Sequence, residues 1–297
     1  MLQEHDSWVV VAEGSGGRRR GAEAGLVLAA RGIDHQLDSH AGRWRLSVPI
    51  ESEREARAEL EQYASENRHW GERPEPIREL SSGWWGVWVY AVLLLSTAIL
   101  VRQDVLGFDW YAAGRLDTSL ALSGQWWRVV TALFLHAGLA HLLGNLAFGV
   151  FFGHFVARHL GEGVGWGAIL LAGALGDTLN TLVQPLGHRS IGASTAVFGA
   201  LGILAAYSWR RGLLKNAPWK TRIAPIVAGI ALLAYTGTGG ENTDVIAHLA
   251  GFVVGLVLGA TLASAPLVDS RRVQRLCAAV SLAIIVGAWG WGIAIAG

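Results

Sequence analysis

The sequence predicts a polytopic all-α membrane protein preceded by a small soluble α+β domain. Two observations carry that expectation. Charge is divided unevenly: residues 1–80 hold 11 of the 24 Lys+Arg and 15 of the 23 Asp+Glu, whereas residues 81–297 hold the other 13 basic and only 8 acidic residues. The charge-poor region is rich in Gly, Ala, Leu and Val, and it breaks into apolar stretches of about the 20 residues that cross a bilayer.

The elements follow in order. Residues 1–72 read β-α-β-β-α. "SWVVVAEG" is a β-rich run. "RRRGAEAGLVLAARG" has helical spacing and ends at Gly32, a C-cap. "DHQLDSHAGRWRLSVP" is a hairpin turning at "AG", and "ESEREARAELEQYASENRHW" is a charged amphipathic helix with Ala56, Leu60 and Tyr63 on one face. Residues 73–83, with two prolines in "GERPEPIRELSSG", form a linker. "MLQEHDSWVVVAEG" lacks a basic segment followed by an apolar stretch, so no cleaved signal peptide is expected and the first domain is expected in the cytoplasm.

Seven spans are expected after the linker. The first is Trp84 to Val101, with Trp84, Trp85 and Trp88 as an interfacial belt. A long Trp-containing loop then reaches Arg128. The second span lies within Val129 to Val156, and the third is Gly163 to Val183. The fourth runs from Ser194 to just before Arg210, the fifth is Ile223 to Tyr235, the sixth Val245 to Ala263, and the seventh about Leu276 to Ala296.

Basic residues orient them. Arg158 follows span two; Arg210, Arg211, Lys215, Lys220 and Arg222 follow span four; Arg271, Arg272 and Arg275 follow span six. These loops are expected on the cytoplasmic side, so spans two, four and six run from outside to inside. The lone Cys277 excludes an intrachain disulfide and a cysteine-based metal site, no metal or other cofactor is expected, and a net charge of +1 points to no nucleic-acid partner.

An ionisable residue within a span is expensive and marks a functional site by default. Span two carries His136, His141 and Asn145 in "LHAGLAHLLGN"; span three carries Asp177 and Asn180; span four carries Ser194 and Thr195; span six carries His248 in "DVIAHLAG". Asp177 and Asn180 read as a polar patch near the outer end of their span. His154 reads as an inner-interface residue, and His136 as a hydrogen-bonding brace for the preceding loop. Ser194, His248, His141 and Asn145 share one depth below the outer surface, with His141 and Asn145 on one helical face at i, i+4. Ala247, Gly251, Gly255 and Gly259 make a small-residue strip on which span four can pack, bringing the serine hydroxyl toward the imidazole. Taken alone, Ser194 is most cheaply a helix N-cap. Beside a histidine it is a nucleophile with its base, and the helix-start amide, His141 and Asn145 are donors for an oxyanion.

With these residues the membrane region resembles the rhomboid family of intramembrane serine proteases. "GQWWRVVTALFLH" contains the family's tryptophan-arginine pair, Trp127 and Arg128. "HAGLAHLLGN", "GASTAVFG" and "AHLAGFVVG" match the remaining motifs in order. The resemblance implies a six-helix rhomboid core over residues 84–265, with residues 266–297 as an additional C-terminal transmembrane helix. It implies a dyad of Ser194 as nucleophile and His248 as general base without a third carboxylate. His141, Asn145 and the Ser194 amide would form the oxyanion site, supported by Gly192, His136, Phe198, Trp127, Arg128 and Gly251. The substrates it implies are transmembrane proteins, cut near the outer face of the inner (plasma) membrane, with activity falling in acid as His248 protonates.

Three positions depart from the family pattern: Thr195 where glycine is common, Phe198 where tyrosine is common, and Ala157 where a glutamate is common. Two other functions remain open. One is a catalytically inactive rhomboid-like substrate-binding or quality-control protein, though such members typically lack the serine or the histidine. The other is a small-solute transporter, which should often show inverted repeats that the sequence lacks.

Overall fold

In the computed structural model, the described residues are 7–15, 18–40, 42–67, 79–212 and 244–296, with positions 219, 223, 227 and 229. The chain divides into two compact units, Met1–Pro76 and Ile77–Gly297.

The first unit follows the expected β-α-β-β-α order: β1 (Trp8–Ser15), α1 (Arg18–Ala30), β2 (Gln36–His40), β3 (Arg43–Pro49) and α2 (Glu53–Glu66). The sheet is antiparallel with β3 in the centre, and Gly42, at φ +78°, supplies the left-handed backbone of the β2–β3 turn. One face carries the core, where Val11, Leu46 and Val48 meet Leu28 of α1 and Ala56 of α2. The alternation of these strands is the period-2 pattern of a sheet covered on one side.

The second unit is helical. Among the described residues, five helices are long and apolar enough to cross a membrane. They are α3 (Trp85–Arg102), α7 (Leu139–Leu160), α8 (Glu162–Val183), α10 (Val245–Leu262) and α11 (Arg271–Ala296). The 17-residue α9 (Ser194–Arg210) occupies the fourth expected span. Between α3 and α7 lie three short helices, α4 (Trp110–Gly114), α5 (Thr118–Leu122) and α6 (Arg128–Thr131). The expected fifth span, Ile223 to Tyr235, lies outside the described residues but for positions 223, 227 and 229.

Two boundaries differ from the sequence reading. The second span is not continuous from Val129. It opens with α6, passes through a 3-10 turn at Ala132–Phe134, becomes extended at Leu135, and restarts after Gly138, whose backbone is fully extended. His136 therefore precedes the spanning helix rather than lying in it. The last helix starts at Arg271, so Arg271, Arg272 and Arg275 sit on its first turns instead of in a loop. Long arginine stems can lie along a helix end while their charge reaches water, so helical spacing of apolar residues places the start too late.

The centre of this unit is three helices in backbone contact. A Cβ at Gly251 of α10 would collide with the Thr195 carbonyl oxygen of α9, one at Gly255 with the Gly199 carbonyl, and one at Gly259 with the Ile203 carbonyl. On α8, a Cβ at Gly176 would lie 2.8 Å from the Gly251 Cα, and one at Gly173 would lie 2.8 Å from the Ala196 Cβ. Small residues every fourth place let the axes approach until dispersion and Cα–H···O contacts replace side-chain packing.

Candidate active site

Ser194 begins α9, and the chain before it is held from several directions. Two-stranded β4 (Leu116–Asp117) pairs antiparallel with β5 (Arg189–Ser190). The Thr118 amide donates to His188 O (3.0 Å), the Thr118 hydroxyl to Pro185 O (2.8 Å), and the Gly192 amide to Ala132 O (2.9 Å). Gly192 sits at φ +124°, a conformation suited to glycine, and a Cβ there would stand 2.7 Å from His141 Cε1 and Nε2 and 3.6 Å from Ser194 Oγ. The missing side chain is thus the space between the serine and the first-turn histidine of α7.

His248, one turn into α10, points back to that space. Its Nε2 lies 2.8 Å from Ser194 Oγ, and its ring stacks on Phe198, one turn along α9 (centroids 4.6 Å apart, planes at 20°). The stack fixes the imidazole plane, and in the tautomer assigned here, with the serine hydroxyl donating, Nε2 is the acceptor. Nδ1 then carries the histidine's own hydrogen, with no hydrogen-bond partner among the described residues.

His141 and Asn145 differ in readiness. The Ala137 amide donates to His141 Nδ1 (3.4 Å), which leaves the hydrogen on Nε2, the nitrogen nearest the Gly192 gap. Asn145 is buried, and its side-chain amide donates to His141 O (2.9 Å) within α7, while the Tyr90 hydroxyl donates to the Asn145 backbone carbonyl (2.8 Å). One of its two Nδ2 hydrogens therefore serves its own helix, which leaves the other for a further acceptor.

The other expected site residues act at a distance. Trp127 is buried and donates from Nε1 to Ala113 O (3.3 Å). Arg128, 3% exposed, donates to the carbonyls of Ala112 (2.8 Å) and Arg115 (2.7 Å) and to Gln125 Oε1 (2.7 Å). Both side chains bind the backbone of the α4–α6 region rather than the dyad. His136 packs edge-on against His141 (centroids 5.1 Å).

Asp244 is not among the site residues that the sequence suggests. Asp244 caps α10 by accepting from the Ala247 amide (3.0 Å), and it also gathers Asn180 Nδ2 (2.5 Å), Gln184 Nε2 (3.2 Å) and His188 Nε2 (2.8 Å). An aspartate directly before an apolar helix is the N-cap signal that finds it. Burial pushes this carboxyl up, but the bonds from His188, the Ala247 amide and Asn180 outweigh it and hold the group below its ordinary value. A depressed folded-state value means that the unfolded chain takes up the proton first as pH falls. The stabilisation is complete above the unfolded value, about 3.9, and is lost as pH falls through the folded one. Thermal unfolding in detergent should therefore fall more steeply with acid below about pH 4 in the wild type than in Asp244→Asn. Parallel profiles would show that the clamp contributes nothing to stability.

A family model described as the Rhomboid domain matches residues 123–265. Among similar proteins, YdcA of Bacillus subtilis (strain 168) is 27% identical over 172 residues, 58% of this chain and 80% of that one. Rhomboid protease GluP of the same organism is 33% identical over 184 residues, 61% of this chain and 35% of that protein. Rhomboid-like protein 11, chloroplastic, of Arabidopsis thaliana is 35% identical over 143 residues, covering 45% of this chain and 51% of that one. The aligned stretch thus spans most of the first relative but only about a third and a half of the other two.

Proposed function

Because the chain belongs to the rhomboid family, we propose that it is an intramembrane serine endopeptidase that hydrolyses peptide bonds in or near the transmembrane segments of membrane proteins. The observation that carries this reading is the 2.8 Å contact between His248 Nε2 and Ser194 Oγ. It is the geometry a serine needs to lose its proton at neutral pH.

In the proposed reaction a locally unwound substrate segment presents a carbonyl carbon to Ser194 Oγ, and His248 Nε2 takes the hydroxyl proton as the C–O bond forms. The tetrahedral oxyanion accepts from His141 Nε2–H, the Ser194 amide and the second Nδ2 hydrogen of Asn145. His248 returns the proton to the leaving amine, and water then hydrolyses the acyl-enzyme by the same steps in reverse roles. The proposed orientation puts the N-terminal unit in the cytoplasm and the dyad near the outer face, where water can enter.

A fluorophosphonate probe tests the reading. The purified wild type should be labelled on Ser194, and Ser194→Ala, folded to the same thermal stability, should not. An unlabelled wild type would favour a non-catalytic member of the family. Asn145→Ala should lower kcat by about 10²–10³-fold with little change in KM, the loss expected for one oxyanion donor. A wild-type kcat for this variant would leave the oxyanion to His141 and the backbone.

A further inference from the structure

We propose that Asp177 is a positioning residue. With Thr195, Asn180 and Asp244 it forms a polar line through α8 that sets how closely Ser194 and His248 approach. The inference rests on the protease reading above, and it reassigns two residues that the sequence suggests are a polar patch near the outer end of a span.

Asp177 and Asn180 are 2% and 0% exposed and lie three residues apart, on one face of α8. Each end of the line reaches one dyad helix. Thr195 follows the serine directly, is 3% exposed, and packs against α8 beside Asp177, where a Cβ at Gly176 would stand 2.7 Å from Thr195 Cγ2; its hydroxyl is the donor the proposal assigns to the Asp177 carboxyl. Asp244 starts the helix that carries His248 one turn later, and it holds Asn180 Nδ2 at 2.5 Å. Glycine, common at the threonine position in the family, has no hydroxyl with which to make the first of these bonds.

The middle of the line explains its chemistry. Asp177 Oδ1 and Asn180 Oδ1 are both fully buried and without a donor among the described residues. Two orphan acceptors on one helix face are costly, and a single proton carried by Asp177 satisfies both by donating to the Asn180 carbonyl. Asp244, which has three side-chain donors and the α10 cap, is the carboxyl equipped to keep the charge. The order of donation is then Thr195 to Asp177, Asp177 to Asn180, and Asn180 to Asp244, with no buried group on the line unpaired.

The test measures the rate of fluorophosphonate labelling of Ser194, together with kcat and KM on a transmembrane peptide. Asp177→Asn can still accept from Thr195 and donate to Asn180, and should stay within about threefold of wild type. Asp177→Leu, and Thr195→Val as the nearly isosteric variant that protects against misfolding, should slow both labelling and kcat by about tenfold or more with KM unchanged. Wild-type rates in Thr195→Val, or losses confined to thermal stability or KM, would overturn the inference. So would an Asp177→Asn variant as impaired as Asp177→Leu, because it would require an ionised carboxylate. An unlabelled wild type overturns the protease reading and this inference together, whereas a labelled wild type with indifferent variants overturns this inference alone.

Discussion

Alanine at Ser194 is expected to lower cleavage of a transmembrane substrate by about 10⁴-fold or more, and His248→Ala by a comparable factor. In the proposed reaction one proton passes between the two side chains across 2.8 Å, so the double variant should be no slower than the singles. Release of a soluble fragment from a reconstituted substrate reads the effect directly. Full proteolysis by either single variant sinks the dyad. Multiplying losses in the double variant would mean that the serine and histidine act in separate steps.

Gly251→Leu should remove activity to background and destabilise the fold by about 1–3 kcal/mol, the usual cost of overpacking a core. Position 251 faces the Thr195 carbonyl with no room for even a Cβ, and α8 closes the other side at Gly176. A leucine must push α10 off α9, and His248 lies one turn away on the helix that moves. Val253, 45% exposed on the same helix, is the control: Val253→Leu should leave both activity and unfolding temperature unchanged. Thermal unfolding in detergent with a cleavage assay separates the two. An active, stable Gly251→Leu would mean that the two helices tolerate separation.

Much of this was legible because the determinants are local and periodic. Apolar length marks the spans, the alternating strands mark the small sheet, and glycine at every fourth place marks the α9–α10 seam. The break at His136–Gly138 was less visible, since a helix that stops and restarts within apolar sequence leaves hydropathy unchanged. The roles of Asp177, Asn180 and Asp244 were hidden for another reason. Their partners come from three helices and a loop, with separations in sequence of 56 to 64 residues for His188, Gln184 and Asn180 against Asp244. Trp127 and Arg128 were found by motif, but which carbonyls they hold depends on the path of the α4–α6 segment, which no short pattern encodes.

The last helix is more than an anchor, because of Gln274. Its amide nitrogen donates to Leu160 O (2.7 Å) and Val268 O (2.8 Å), and its oxygen accepts from the amides of Gly163 (2.9 Å) and Val164 (3.0 Å). One side chain uses its full bonding capacity to close the turn between α7 and α8, which leaves the ribosome more than a hundred residues earlier. Until α11 is synthesised and inserted, that turn carries unpaired amides at the start of α8. The link between two helices of the central bundle is thus completed by a side chain from the last helix of the chain.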